Sequence, residues 1–123
     1  MNIVIWIIQG LAALAFLGAG GMKVSQPMDK LAKNMSWVNA FSPLQVRLIG
    51  TAEILGALGL ILPGVTGILP ILTPIAAAAL VVLMLGAVFT HLRLKEADKV
   101  TAPLFPLILA LLVAIGRFWI LPL

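Results

Sequence analysis

The first 22 residues of the chain carry no charged side chain. About 20 apolar residues in an α-helix are long enough to cross the hydrocarbon core of a bilayer. A cleaved signal peptide would begin with a positively charged segment, whereas the first basic residue here is Lys23. The sequence therefore favours a membrane span at the N-terminus over a signal peptide.

The apolar character extends along the whole sequence. Hydrophobic residues make up 63% of the 123 positions and charged residues only 10%, and the mean hydropathy is +1.21. Soluble domains are about half apolar and about a quarter charged. We therefore expect an all-α membrane protein, with residues 1–123 forming a single integral membrane domain.

Helix start and stop signals divide this domain into four spans. Ser42, Pro43 and Gln45 form the pattern of a capping box at the start of the second span, and Pro63 is expected to end it. A threonine shortly before a proline opens the third and the fourth span in the same way. The predicted spans are about 3–22, 43–62, 74–91 and 103–121.

Basic residues predict the orientation of this four-helix bundle. Seven of the eight Lys and Arg residues lie in or beside the two long loops, and only Arg117 lies toward the other side. The positive-inside rule places both long loops in the cytoplasm and both termini outside. The net charge of +4 is explained by this topology, so we expect no nucleic-acid partner.

The first cytoplasmic loop contains a short amphipathic segment, Pro27 to Met35. Its methionine and leucine residues share one side, while Asp29, Lys30 and Lys33 lie mostly on another. This pattern favours a short interfacial helix that lies on the bilayer surface and contacts anionic lipid.

Polar residues within the spans share helix faces with small residues, which predicts that they point into the bundle. Glu53 is near the middle of the second span, where an isolated carboxylate costs about 2.5–3.5 kcal/mol. It must therefore be paired, protonated or next to water. From its depth, we expect Glu53 to cluster with Arg117 and Gln9 in the outer half of the bilayer.

A second polar cluster is predicted near the cytoplasmic face, formed by Lys23, Arg47 and His91. These residues also have simpler explanations: Lys23 and Arg47 as interfacial anchors, and His91 as a cap on the last carbonyls of its helix. Glu53 in turn has a structural alternative, because a buried ion pair can fix the register of a small bundle.

Several chemistries are excluded by composition. The chain has no cysteine, which removes disulfides, thiolate catalysis and Fe–S ligation, and its single histidine cannot build the usual multi-ligand metal site. It contains no P-loop, no HExxH motif and no catalytic triad. No self-sufficient catalytic motif is present, so the sequence leaves enzymatic activity open.

Three stretches of the sequence and one late arginine form a recognisable pattern. One stretch is Gly20 to Lys23, at the end of the glycine-rich first helix. Another is Ile49 to Leu60, around Glu53, and the last is Met84 to Arg93. An arginine late in the last helix, Arg117, completes the pattern. Together these features resemble the DoxX-like family of small four-helix membrane proteins, and the resemblance covers nearly the whole chain.

The resemblance implies a multi-pass protein of the bacterial inner membrane. Some members are associated with quinone-linked oxidoreductases such as thiosulfate:quinone oxidoreductase, or with soluble redox enzymes. For this chain it implies an intramembrane polar site that includes Lys23, Glu53, His91 and Arg117, no intrinsic cofactor, and a quinone or another small molecule as the ligand. Because cysteine is absent, a redox role would use a bound quinone or the cofactor of a partner.

Three other classes of function stay open at this point. A small proton-coupled transporter of the multidrug-exporter type also uses an intramembrane glutamate, although in its first helix. A lipid- or isoprenoid-binding bundle, or an isomerase-like one, would use Glu53 as an acid or base in an apolar pocket. A structural role, including a homo-oligomer formed through the small-residue faces, needs no ligand at all.

Overall fold

The computed structural model of the chain describes residues 2–34, 41–93 and 101–120. This part of the chain is helical apart from short connections and contains no strand. The helices are α1 (Asn2–Ser25), α2 (Met28–Asn34), α3 (Pro43–Thr66), α4 (Leu72–Arg93) and α5 (Thr101–Ile115), and α5 continues into a π-helical turn (Gly116–Ile120).

Four helices of this fold are long and apolar enough to cross a membrane. They are Asn2–Ser25, Pro43–Thr66, Leu72–Arg93 and Pro103–Ile120. Large apolar side chains such as Leu14, Val82 and Trp119 are exposed on their outer faces, as expected for surfaces that contact lipid. The predicted all-α membrane fold with four spans is confirmed, whereas the orientation of its termini stays a prediction.

The four long helices contact one another in the cyclic order α1, α3, α4, α5. Neighbouring helices are antiparallel: on α1 and α3, Gln9 contacts Leu60 and Gly20 contacts Gly50, so the start of one helix lies beside the end of the other. Thr73 at the start of α4 likewise contacts Gly59 late in α3, and Arg117 at the end of the last helix contacts Gln9 early in α1. The two long loops are therefore at one end of the bundle, here called the long-loop end, and both chain termini are at the other, the termini end. The most extensive helix contact is that between α1 and α3.

The start of α3 forms as its sequence predicts. The backbone N–H of Gln45 donates to the Ser42 hydroxyl at 3.2 Å, and the Ser42 N–H donates to the Gln45 side chain at 2.9 Å. These two bonds form the expected capping box, with Pro43 as the first helical residue.

The predicted end of this helix at Pro63 is wrong, because α3 continues through the proline to Thr66. Proline has no N–H to offer the carbonyl of Gly59, four residues earlier. The Thr73 hydroxyl donates to that carbonyl at 3.0 Å instead. The helix is capped by the next residue, Gly67, which adopts the left-handed conformation (φ 72°) and donates its N–H to the Pro63 carbonyl at 3.0 Å.

The first long loop contains the expected short helix, α2, although Met35 lies outside the described residues. Leu31 of α2 is fully buried against Val46 of α3, and Met22, Met28 and Phe41 pack around this pair. The apolar side of α2 is thereby held against the bundle. Its location at the bilayer surface stays a prediction.

The three polar residues that the small-residue stripes predict to face the interior of the bundle do so. Glu53 and Arg117 are each 1% exposed, and Gln9 is fully buried. The central apolar core lies between them and is formed by residues such as Phe16 and Leu60. The bundle therefore holds buried polar groups on both sides of an apolar middle.

Candidate functional site

Two glycines bring α1 and α3 into backbone contact at the long-loop end. A Cβ atom on Gly20 would lie 2.5 Å from the Gly50 carbonyl oxygen, and one on Gly50 would lie 2.8 Å from the Gly20 carbonyl oxygen. Neither position accommodates a side chain without moving a backbone. Lys23 and Glu53 each follow one of these glycines by three residues, so the close approach brings their side chains together.

Lys23 and Glu53 form a buried ion pair. The Lys23 ammonium donates to Oε1 of Glu53 at 2.5 Å, and their side chains are 9% and 1% exposed. Arg47, six residues before Glu53 on α3, donates to the backbone carbonyl of Lys23 at 2.5 Å. The positive charge of Lys23 thus compensates the carboxylate that the bilayer would otherwise disfavour.

The predicted pairing of Glu53 with Arg117 and Gln9 is wrong, since the ion-pair partner of Glu53 is Lys23. The sequence predicts a first span that ends at residue 22, with Lys23 in the loop that follows. In the structure α1 continues to Ser25, so Lys23 is still helical and lies beside α3 rather than out in the loop. The expected neighbourhood of Lys23 and Arg47 is confirmed.

Arg117 and Gln9 form a separate network at the termini end, as their shared depth predicts. Arg117 Nε donates to Oε1 of Gln9 at 2.6 Å, and Gln9 Nε2 donates to the Leu60 carbonyl at 2.6 Å. Arg117 also donates to Oδ1 of Asn2 at 2.8 Å and lies 5.4 Å from the ring centre of Trp6. This network links α1, α3 and the π-helical turn.

Asn2 and Trp6 were not singled out from the sequence. Asn2 is seven residues before Gln9, which places both on one face of the helix, and it is the one other amide in the uncharged N-terminal segment. That spacing was the available signal. The sequence contains no comparable signal for Trp6 beyond its aromatic character, because its contact with Arg117 depends on how α1 and the last helix pack.

A cavity of about 370 Å³ lies between the helices at the long-loop end. All four long helices contribute to its wall, and Phe41 contributes from the first loop. The polar residues in the wall are Lys23, Glu53, Thr90 and His91, and the remaining ones are apolar: Ala19, Phe41, Ile49, Leu83, Met84, Gly86, Ala87, Pro103 and Pro106. The ion pair is therefore at the edge of a mainly apolar chamber.

His91 is buried in the last turn of α4 and shares the cavity wall with Lys23, so these two members of the predicted cytoplasmic-side cluster are brought together. Arg47 is not among the wall residues, and it contacts the site only through its hydrogen bond to the Lys23 carbonyl.

Thr90 is a wall residue that the sequence analysis did not single out, and its hydroxyl donates to the Gly86 carbonyl of its own helix at 2.8 Å.

The cavity opens toward the outer face of α4 at Gly86, which lines the cavity and is also exposed. A Cβ atom at Gly86 would meet nothing within 4 Å, so this opening is not closed by a neighbouring helix. Phe41, which also packs against the Leu31 and Val46 pair, contributes to the wall at the first loop.

The site offers two kinds of group to a ligand. The Lys23 ammonium is a hydrogen-bond donor, the His91 imidazole can donate or accept, and the Glu53 carboxylate accepts, as does the Thr90 hydroxyl oxygen, whose proton is donated to the Gly86 carbonyl. Within residues 2–34, 41–93 and 101–120, no group of three or more His, Cys, Asp or Glu side chains could hold a metal ion. The arrangement is suited to binding a mainly apolar molecule that carries polar oxygen atoms.

Fold and site together define an all-α, multi-pass membrane bundle with a charged pair beside an internal cavity. The chain belongs to the DoxX-like family, whose model matches residues 7–115. Lys23, Glu53 and His91 lie within the matched region, whereas Arg117 lies just beyond it. No curated protein and no solved structure matches the chain.

Proposed function

We propose that this DoxX-like protein is a membrane subunit or partner of an oxidoreductase, and that its cavity binds a quinone. The observation that carries the proposal is the cavity of about 370 Å³, in which the Lys23–Glu53 pair and His91 face mainly apolar walls. Ligand sites are typically cavities of about 300–1,000 Å³ with a few converging polar groups. We place the protein in the bacterial inner membrane, where quinones are dissolved.

The wall residues fit a quinone head group. A quinone is a flat, largely apolar ring with two carbonyl oxygens that accept hydrogen bonds. Lys23 and His91 supply donors for these oxygens, and apolar residues such as Ile49 and Met84 supply surfaces for the ring. Glu53 holds the Lys23 ammonium at the cavity wall, so the donor is oriented before the ligand arrives.

Electrons for a quinone must come from elsewhere, because the chain has no cysteine and its composition provides no redox-active metal site. Reduction to a quinol consumes two electrons and two protons, and the partner enzyme's redox centre would provide the electrons. The chain itself would bind the ring and hold protons on Lys23 and His91 beside the quinone oxygens. This division of work explains how so small a protein can serve an oxidoreductase.

The exporter alternative is less well supported by the site. A proton-coupled cation exporter needs a glutamate whose negative charge is available to its cationic substrate. Here the Glu53 carboxylate accepts from Lys23 at 2.5 Å, so its charge is compensated within the protein. Binding of an isoprenoid or other lipid uses the same apolar walls and is separated from quinone binding by experiment.

The test is purification in a mild detergent, followed by mass spectrometry of the proteins and small molecules that are retained. Wild type is compared with Glu53→Gln and with Arg117→Gln. The second variant is the matched control, since it also removes one buried charge but at a residue that is not in the cavity wall. Circular dichroism and size-exclusion chromatography verify that each variant is folded.

We expect wild type and Arg117→Gln to retain a quinone and an oxidoreductase, and Glu53→Gln to lose the quinone. Wild type that retains a lipid or isoprenoid without any quinone would contradict the proposal in favour of the lipid-binding alternative. Wild type without a bound small molecule or redox partner, with Glu53→Gln differing only in melting temperature, would favour a structural role.

A further inference from the structure

A second depression lies on the outer surface of the bundle, along the seam between α3 and α4. Its volume is about 450 Å³. Its wall consists of alanine, leucine and valine side chains and one glycine, and it includes none of the charged residues. We call it the seam groove.

Small residues create the seam groove. A Cβ atom on Gly56 would lie 2.6 Å from Cδ2 of Leu80, so the two helices are in close contact along the inner side of the seam. On the outer side the residues are Ala52, Ala76 and Ala79, whose short side chains leave the space above this contact unfilled. The groove is thus a consequence of close helix packing beneath short side chains.

The seam groove adjoins the polar cavity. Leu83 contributes to the walls of both. On α3, the cavity residue Glu53 is directly preceded by the groove residue Ala52, and on α4 the cavity opening at Gly86 is one turn from Leu83. The polar cavity and the seam groove therefore meet at Leu83, and the groove lies on the side of this residue toward the termini end.

We propose that the ligand is a tailed amphiphile whose polar head occupies the cavity and whose hydrocarbon tail lies in the seam groove. This inference rests on the proposed function, and the tail is accordingly the prenyl chain of the quinone. The groove wall has no charged residue to bind a polar group, while its apolar surface and its position next to the cavity at Leu83 suit a hydrocarbon chain. The ligand then enters sideways from the bilayer through the opening at Gly86.

The experiment compares two probes that share one head group: a benzoquinone without a tail and the same benzoquinone with a decyl tail. Dissociation constants are measured by calorimetric titration in one detergent for wild type, Glu53→Gln, Ala79→Phe and Gly18→Phe. Ala79 is exposed, so phenylalanine there fills the groove from its lipid side. Gly18→Phe is the matched control, because Gly18 is exposed on α1 and a Cβ there meets nothing within 4 Å.

We expect Ala79→Phe to weaken binding of the tailed probe by about tenfold, because the phenylalanine ring occupies the space in the groove that the tail would fill. The tail-free probe is expected to bind this variant as it binds wild type, and Gly18→Phe is expected to change neither probe. Glu53→Gln weakens both probes.

Two results would overturn the inference in different ways. If Glu53→Gln weakens both probes while Ala79→Phe leaves the tailed probe unaffected, the cavity binds the quinone head but the tail lies elsewhere. If wild type binds neither probe, the proposed quinone site itself is wrong and the tail assignment is lost with it.

Discussion

Removing the ammonium of Lys23 should destabilise the bundle more than removing the carboxylate of Glu53. In Lys23→Met, the carboxylate stays at a position where its side chain is 1% exposed and has lost its ion-pair partner. Breaking a buried pair by removing one partner costs about 3–5 kcal/mol. The unfolded chain also remains in the membrane and finds other polar partners, so we expect about 3 kcal/mol, near the low end of that range.

In Glu53→Gln the remaining charge is the Lys23 ammonium, which can reach a polar environment more easily than the Glu53 carboxylate can. Lys23 is two residues from the end of α1, and its long side chain can extend toward the long-loop end. The expected cost is about 1–2 kcal/mol, and the double variant Lys23→Met/Glu53→Gln removes both charges at once. Because replacing a buried pair by uncharged groups is often neutral, we expect the double variant to be within about 1 kcal/mol of wild type.

The assay is reversible unfolding in mixed micelles with increasing dodecyl sulfate, followed by circular dichroism on wild type, both single variants and the double variant. The coupling energy from this cycle should be about 3 kcal/mol or more. Single effects that simply add in the double variant would refute the reasoning, since independent effects mean that the two charges do not compensate each other in the folded state.

Two further predictions concern how the helices are held. Gly50→Ala should cost about 1–3 kcal/mol in the same unfolding assay, because its Cβ would lie 2.7 Å from Cβ of Lys23, while Gly18→Ala at an open position should be neutral or slightly stabilising. An equal response of the two glycines would contradict the close approach. Thr73→Val should cost about 1–2 kcal/mol, since it removes the donor to the carbonyl that Pro63 leaves free, whereas Thr51→Val, at an exposed hydroxyl bonded within its own helix, should change little. Equal effects would show that this bond across α3 and α4 is not important.

Much of the fold could be predicted because the bilayer imposes strong local rules. The length of the apolar stretches predicts the four spans, and the capping residues from Ser42 to Gln45 predict the start of α3. The end of α3 could not be predicted in this way, since the continuation through Pro63 depends on Thr73 of another helix. Helix ends depend on tertiary partners as well as on local sequence.

The candidate site shows the same division between local and tertiary information. Which residues point inward followed from helical periodicity, and Glu53, Lys23 and His91 all lie in the wall of one cavity. The partner of Glu53 did not follow, because depth along a helix says nothing about which neighbouring helix comes closest. That was decided by the contact of Gly20 with Gly50, two residues whose role becomes visible only when α1 and α3 are packed.

The two buried networks differ in a way that bears on function. Arg117 donates to the neutral amides of Gln9 and Asn2, links three segments of the bundle and is not part of the cavity wall, which is the arrangement expected of a structural bond network. The Lys23–Glu53 pair instead borders a cavity of about 370 Å³. If the double variant is as stable as wild type, the ion pair adds nothing to folding that uncharged residues would not provide. Its two charges would then have to be explained by what they bind in the cavity, and the loss of quinone from a stable double variant would be the direct sign of that role.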